Sequence, residues 1–260
     1  MVNDRLRIFA GGDSDVASSV SDPPHEIWSR ESIEVVFFDL CGVLYDESYW
    51  LRWLLQLVSR IGLHTHYTLF YRAWECEFQD EVCRGHIDYW HALKLFLRSA
   101  GLSRAQIDEV VAAGMARFRA FEEQIRPFPH VVAALSQLAS QDVHLAISSA
   151  LPLTVEALKT KLQRLQLTEW FGKVSTCGDS PDARSRRDHF RNQLAEFQIS
   201  PAHAAYVGRR REDLTSAAEA GLLTVAYNQD ADAVADVYVE QFDQLPHAIR
   251  CRPPSMLAAS

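Results

Sequence analysis

The 260-residue chain contains no apolar run of the roughly 18 residues that a membrane span requires. Its first residues hold no apolar stretch of the kind found in a secretory signal. Positive charge is not in excess either: 26 Lys and Arg stand against 34 Asp and Glu, for a net charge of −8. Such a chain is repelled by polyanions and anionic lipid, so neither nucleic acid nor membrane is expected as a partner. The five cysteines, Cys41, Cys76, Cys83, Cys177 and Cys251, are odd in number and fit neither zinc-site spacing nor a disulfide framework. Reduced thiols in the cytoplasm are the simplest reading.

What is present is material for a core. Apolar residues make up 48% of the chain, enough for one large domain or a core with a smaller accessory domain. Residues 1–31 are rich in Gly, Ser, Asp and Pro without periodicity and read as a disordered tail. Residues 249–260, with Pro253-Pro254, read as a flexible C-terminal tail. Residues 49–126 carry helical spacing: Trp50, Leu51, Leu54, Leu55, Val58 and Ile61, then Trp90, Leu93 and Phe96, then Ile107, Val110, Val111, Met115 and Phe118. Gly62, Gly85 and Gly101 punctuate these stretches.

Beyond Pro127-Phe128-Pro129 the pattern alternates. Strands are predicted at Val143–Ile147, Gly172–Thr176, Ala204–Val207, Leu222–Ala226 and Val237–Val239. Helices are predicted at Val131–Leu138, Val155–Leu165, Phe190–Phe197 and Thr215–Ala220. Alternation of this kind predicts an α/β fold, a doubly wound parallel sheet built from residues 32–48 and 127–248, with residues 49–126 inserted as an α-helical domain.

The most informative stretch is Val35-Val36-Phe37-Phe38-Asp39-Leu40-Cys41-Gly42. Its apolar run has the length and content of a fully buried strand. Asp39 follows at the carboxyl end, where open α/β sheets place their ligands. A carboxylate there is suited to nucleophilic attack or to holding a metal.

The segment resembles the first motif of the haloacid dehalogenase superfamily, Asp-x-Asp-Gly-[Thr/Val]-[Leu/Ile]. The resemblance runs from about Ser32 to Ala248 and implies a Rossmannoid core with a helical cap. It implies that Asp39 is the nucleophile and that Ser148, with Ser149 beside it, anchors phosphoryl oxygens. The third-motif cation falls near Arg184, with Arg186 or Arg187 as alternatives. In the fourth motif, Gly208 and Asp213 match, and Asp39 with Asp213 would hold magnesium.

Two positions depart from the pattern. Cys41 stands where the second Asp normally serves as acid and base, and a thiol is a poor substitute for a carboxylic acid. Arg209 stands where a metal-binding Asp is usual. At about 4 Å and an effective dielectric of 20, unit charges interact by ~4 kcal/mol, so Arg209 should oppose a cation. Magnesium is therefore expected to bind weakly, if at all, and Arg209 is expected to pair with Asp39. Arg184 and Arg209 would then join Ser148 and Ser149 in an anion pocket.

These residues favour a hydrolase-like protein with lost or reduced phosphatase activity that binds a small anionic ligand or an acidic protein partner. The alternatives are an active hydrolase of small phosphomonoesters, acting through an Asp39 phospho-aspartyl intermediate, and a metal-independent dehalogenase-like hydrolase.

Overall fold

The computed structural model describes residues 32–74, 78, 82, 87–150, 153–176, 185–229 and 232–250. The tail expected over 1–31, Arg184 and the cysteines other than Cys41 lie outside the described residues.

Six parallel strands form one sheet in the order β3-β2-β1-β4-β5-β6. They are β1 (Val35–Phe38), β2 (His144–Ser149), β3 (Lys173–Thr176), β4 (Ala204–Gly208), β5 (Leu223–Tyr227) and β6 (Val237–Val239). β1 is central because both of its faces are apolar. Pleating sends Val36 and Phe38 into one hydrophobic cluster with Leu145, Ile147 and Val207. It sends Val35 and Phe37 into another with Ala146 and Tyr206. All four β1 side chains are fully buried, and each such apolar side chain contributes on the order of 1.5–3 kcal/mol.

Four helices fill the insertion between β1 and β2: α1 (Ser48–Arg60), α2 (Tyr67–Trp74), α3 (Tyr89–Ser99) and α4 (Arg104–Gln124). Their boundaries are locally encoded. Asp88 accepts from the N–H groups of Trp90 and His91, which starts α3. Ser103 and Gln106 form a capping box at the start of α4. The aromatic residues of the insertion pack as core: Trp50 lies against Trp53, Trp90 and Phe118.

The remaining helices, α5 (Val131–Ala139), α6 (Val155–Arg164), α7 (Arg186–Phe197), α8 (Arg211–Glu219) and α9 (Leu245–Arg250), complete the crossovers and the C-terminal end of the described chain. Glu122 of α4 pairs with Lys161 (3.5 Å) and Arg164 (2.8 Å) of α6, tying the insertion to the sheet domain. Two helices start four residues earlier than hydrophobic spacing predicts. α7 begins at Arg186 because Ser185 caps it, accepting from the Asp188 N–H. α8 begins at Arg211 with Glu212 and Asp213 in its first turn, where acidic residues suit the helix dipole. α9 runs to Arg250 and buries Ile249, so the C-terminal tail expected from residue 249 is helical at its start.

Candidate active site

The sheet register assembles the site. Phe38 lies opposite Ile147 of β2 and Val207 of β4, so the next residue on each strand, Asp39, Ser148 and Gly208, falls at one level. The Asp39 N–H donates to the Val207 carbonyl (2.9 Å), which extends the β1–β4 pairing through the carboxylate-bearing residue. The Leu40 N–H donates to Asp39 Oδ1 (2.8 Å). The chain then turns at Gly42, whose φ of +72° suits glycine.

Asp39 is buried, and its carboxyl is pushed up to about 7. Burial is the largest cause and the Asp213 charge the second; the Arg186 guanidinium and the Leu40 N–H act the other way. Asp213 is itself buried, with Oδ1 held by Arg186 Nε at 3.0 Å. Asp213 Oδ2 is enclosed with no hydrogen-bond partner among the described residues. The Asp213 carboxylate is thus close enough to Asp39 to raise its carboxyl, against the pull of Arg186.

Arg186 is the cation that ties these strands together. Its Nη2 donates to the Ser148 carbonyl (2.7 Å) and Nη1 to the Ser149 carbonyl (3.4 Å). Its guanidinium lies 4.6 Å from the Phe190 ring centre and 5.8 Å from that of Tyr206. One side chain therefore bridges the ends of β2 and the start of α8 while acting on Asp39. Arg184 lies outside the described residues, and it is Arg186, first residue of α7, that is seen at this place.

Ser148 and Ser149 are fully buried at the end of β2. Ser148 Oγ has no hydrogen-bond partner among the described residues, although it adjoins Asp39 in register. A buried hydroxyl in this condition is available to a ligand oxygen.

Cys41 turns away into the hydrophobic cluster. Its Sγ lies 2.8 Å from the Tyr45 hydroxyl, which accepts from Lys161 Nζ at 3.2 Å. Burial, and then the Glu47 charge, push the thiol well above its ordinary range, so it is neutral at physiological pH.

Arg209 is placed differently from the Asp39 pairing expected of it. Its side chain lies across Gly42, where an added Cβ would fall 2.6 Å from Arg209 Cδ. Among the described residues it forms an ion pair with Glu47, Nη1 to Oε1 at 3.8 Å. The missing Cβ of Gly42 leaves the space that the arginine occupies, and Arg186 takes the place beside Asp39. Glu47, at the start of α1, is a participant that sequence reasoning missed. No motif spacing marks it, and only the packing of residue 209 brings it in.

No cluster of three or more His, Cys, Asp or Glu side chains suited to a metal occurs among the described residues. The donors at hand are Asp39, the orphaned oxygen of Asp213 and backbone carbonyls. Magnesium accepts such hard oxygen sets, completing its shell with water. The unpartnered Asp213 Oδ2 and the repulsion between the two carboxylates fit a divalent cation. Among the described residues, no helix is long and apolar enough to cross a membrane.

Comparison with known proteins bears on the family and the fold. The profile described as haloacid dehalogenase-like hydrolase matches residues 33–221. A protein described as ribulose-1,5-bisphosphate 5-phosphatase, from Halopiger xanaduensis, is 26% identical over 176 residues, covering 66% of this chain and 72% of that protein. Two solved structures show the same fold. One is a HAD-superfamily hydrolase from Geobacter sulfurreducens, with a TM-score of 0.60, 20% identity, and coverage of 84% of this chain and 96% of that one. The other is L-2-haloacid dehalogenase from Xanthobacter autotrophicus, with a TM-score of 0.59, 17% identity, and coverage of 84% and 98%.

Proposed function

Since the chain belongs to the haloacid dehalogenase-like hydrolases, we propose that it hydrolyses a small phosphomonoester with Asp39 as nucleophile. The observation that carries this reading is the buried Asp39 carboxylate at the end of the central strand, level with the unengaged Ser148 hydroxyl and acted on by Arg186. The phosphatase described among its relatives supports the same reading.

Residue identities alone favoured lost activity, chiefly because Arg209 should repel a metal. Two features weaken that objection. Arg209 is engaged by Glu47 across Gly42. The carboxylates of Asp39 and Asp213 lie close enough for one to raise the other, a repulsion that a cation relieves.

The chemistry assigned to the residues is as follows. Asp39 Oδ attacks phosphorus and displaces the leaving oxygen, forming an aspartyl phosphate. The Ser148 hydroxyl donates to a phosphoryl oxygen and fixes its orientation. Arg186 holds the end of β2 against Asp213, so that Ser148 stays beside Asp39. Asp39, Asp213 and the Cys41 carbonyl would hold magnesium, which supplies positive charge against the phosphoryl oxygens. Water then attacks phosphorus, the bond from phosphorus to Asp39 Oδ breaks with its electron pair returning to the carboxylate, and inorganic phosphate is released.

The test is phosphate release from a panel of sugar and aryl phosphates. Release should need magnesium and should vanish in Asp39→Asn, and a base-labile phosphate should be trapped on the Asp39 peptide of the wild type. Absence of release from every ester, or undiminished release by Asp39→Asn, would overturn the assignment.

A further inference from the structure

The carboxyl edge of the sheet holds a second recess, away from the nucleophile. It is a cavity of about 410 Å³ at the ends of β5 and β6, within the size range of small-molecule sites. Tyr227 ends β5, and Asn228 and Gln229 follow it; Glu240 follows β6 in the same way. Phe128, just beyond the helical insertion, completes the wall. β5 lies two strands from β1, which puts the cavity roughly 10 Å or more from Asp39.

The chemistry of the walls is uneven. Three of the bordering residues are aromatic. The Phe128 and Tyr227 rings stand nearly perpendicular, with centres 5.8 Å apart, and make an apolar corner. Tyr238 is 51% exposed, yet its ring is fixed. Its hydroxyl accepts from the Ala235 N–H (3.0 Å) and donates to the Ala233 carbonyl (3.2 Å). Among the described residues, Glu240 is the one charged side chain bordering the cavity, and no ion pair engages it. Asn228 donates its amide N–H to the Gly42 carbonyl (3.0 Å), which leaves its side-chain oxygen as an acceptor. A phosphate or carboxylate entering here meets a like charge and no cation. An ammonium on an apolar stem meets aromatic rings and a carboxylate together, the combination that recognises organic cations.

We propose that this cavity binds a small organic ammonium ion, at a site distinct from that of the phosphate ester. Phe128, Tyr227 and Tyr238 surround the stem, and Glu240 takes the charge. The site adjoins the turn that follows the nucleophile. Asn228 is bonded to that turn at Gly42, and the Phe128 N–H donates to the Leu44 carbonyl (2.9 Å). An occupant that touches Asn228 and Phe128 therefore touches two residues that hold the turn.

The experiment is calorimetric titration of the full chain at neutral pH with three probes of one shape: phenethylamine, phenethyl alcohol and phenylacetate. Turnover plays no part in it, so failure here leaves the phosphatase reading intact, and failure of that reading leaves this one intact. Phenethylamine should bind one to one and more tightly than the alcohol, and phenylacetate should not bind. Glu240→Gln should weaken the amine about 2–5-fold and leave the alcohol unchanged. Phe128→Leu should weaken the amine about 3–10-fold, with thermal unfolding to show that the variant is folded. Asp39→Asn should bind the amine as wild type does. Absence of amine binding, equal affinity for amine and alcohol, or an amine affinity unchanged by either Glu240→Gln or Phe128→Leu would overturn the proposal. Loss of the amine in Asp39→Asn would place it at the ester site and overturn it as well.

Discussion

Asp39 is where the chemistry of the chain meets its stability. Its carboxyl lies near 7 in the folded protein and near 4 in an unfolded chain. Between those pH values the folded state binds the proton more tightly. The stabilisation from Asp39 is therefore present in full at acid pH and is lost as pH rises from about 4 to about 7. The metal-free protein should show this as a falling Tm over that interval. Asp39→Asn removes the titration and should flatten that part of the profile. At pH 8 the variant should be more stable than wild type by about 1–3 kcal/mol, because a buried anion has been removed. That corresponds to several degrees of Tm, and calorimetry at pH 5 and pH 8 on both proteins checks it. Equal pH profiles would mean that Asp39 ionises as freely as an exposed carboxylate. The same buried proton should compete with magnesium, so the acid limb of kcat/KM should move to lower pH as magnesium is raised.

At the scale of the element, α7 depends on its first turn. Ser185 accepts from the Asp188 N–H and donates to its carboxylate, and this cap fixes where Arg186 leaves the backbone. Ser185→Ala should cost about 1 kcal/mol of stability, measured by urea denaturation. It should also lower kcat/KM, because Arg186 would hold the end of β2 less firmly. A stability loss with kcat/KM unchanged would show that Arg186 keeps its place without the cap. The strands around the site were legible in the sequence because buried parallel strands are short apolar runs, and Val35–Phe38, Val143–Ile147 and Ala204–Val207 read as such. The strand-end places of Asp39 and Ser148 were legible as well, while the roles given to them came from the resemblance to the family. The start of α7 was harder to read, since Arg186, Arg187 and Asp188 give no apolar periodicity. The signal that marks it is Ser185 followed three residues later by an acid. Glu47 was not legible at all, because its partnership with Arg209 arises from side-chain packing across Gly42 rather than from spacing along the chain.

For the whole molecule, a ligand that binds only the folded state raises its stability by mass action. Magnesium at a hundred times its Kd should add about 2.7 kcal/mol. Thermal shift against magnesium concentration should show this in the wild type and should show much less in Asp213→Asn. An identical shift in both proteins would place the ion elsewhere.

The position of β1 in the sheet has a consequence for synthesis. Its neighbours are β2, starting at His144, and β4, starting at Ala204. The ribosome must add roughly a hundred residues before the first partner strand exists. At roughly 5–20 residues per second this takes some 5–20 s. Throughout that interval Val35-Val36-Phe37-Phe38 is an apolar segment with both edges open, while the helices of the insertion share a hydrophobic cluster of their own, from Leu54 and Phe70 to Leu97 and Val110. The nascent protein should therefore gain protease resistance in two stages. Chains stalled so that residue 130 has just left the exit tunnel should protect residues 89–124 and leave β1 open to cleavage, and protection of β1 should await the emergence of β4.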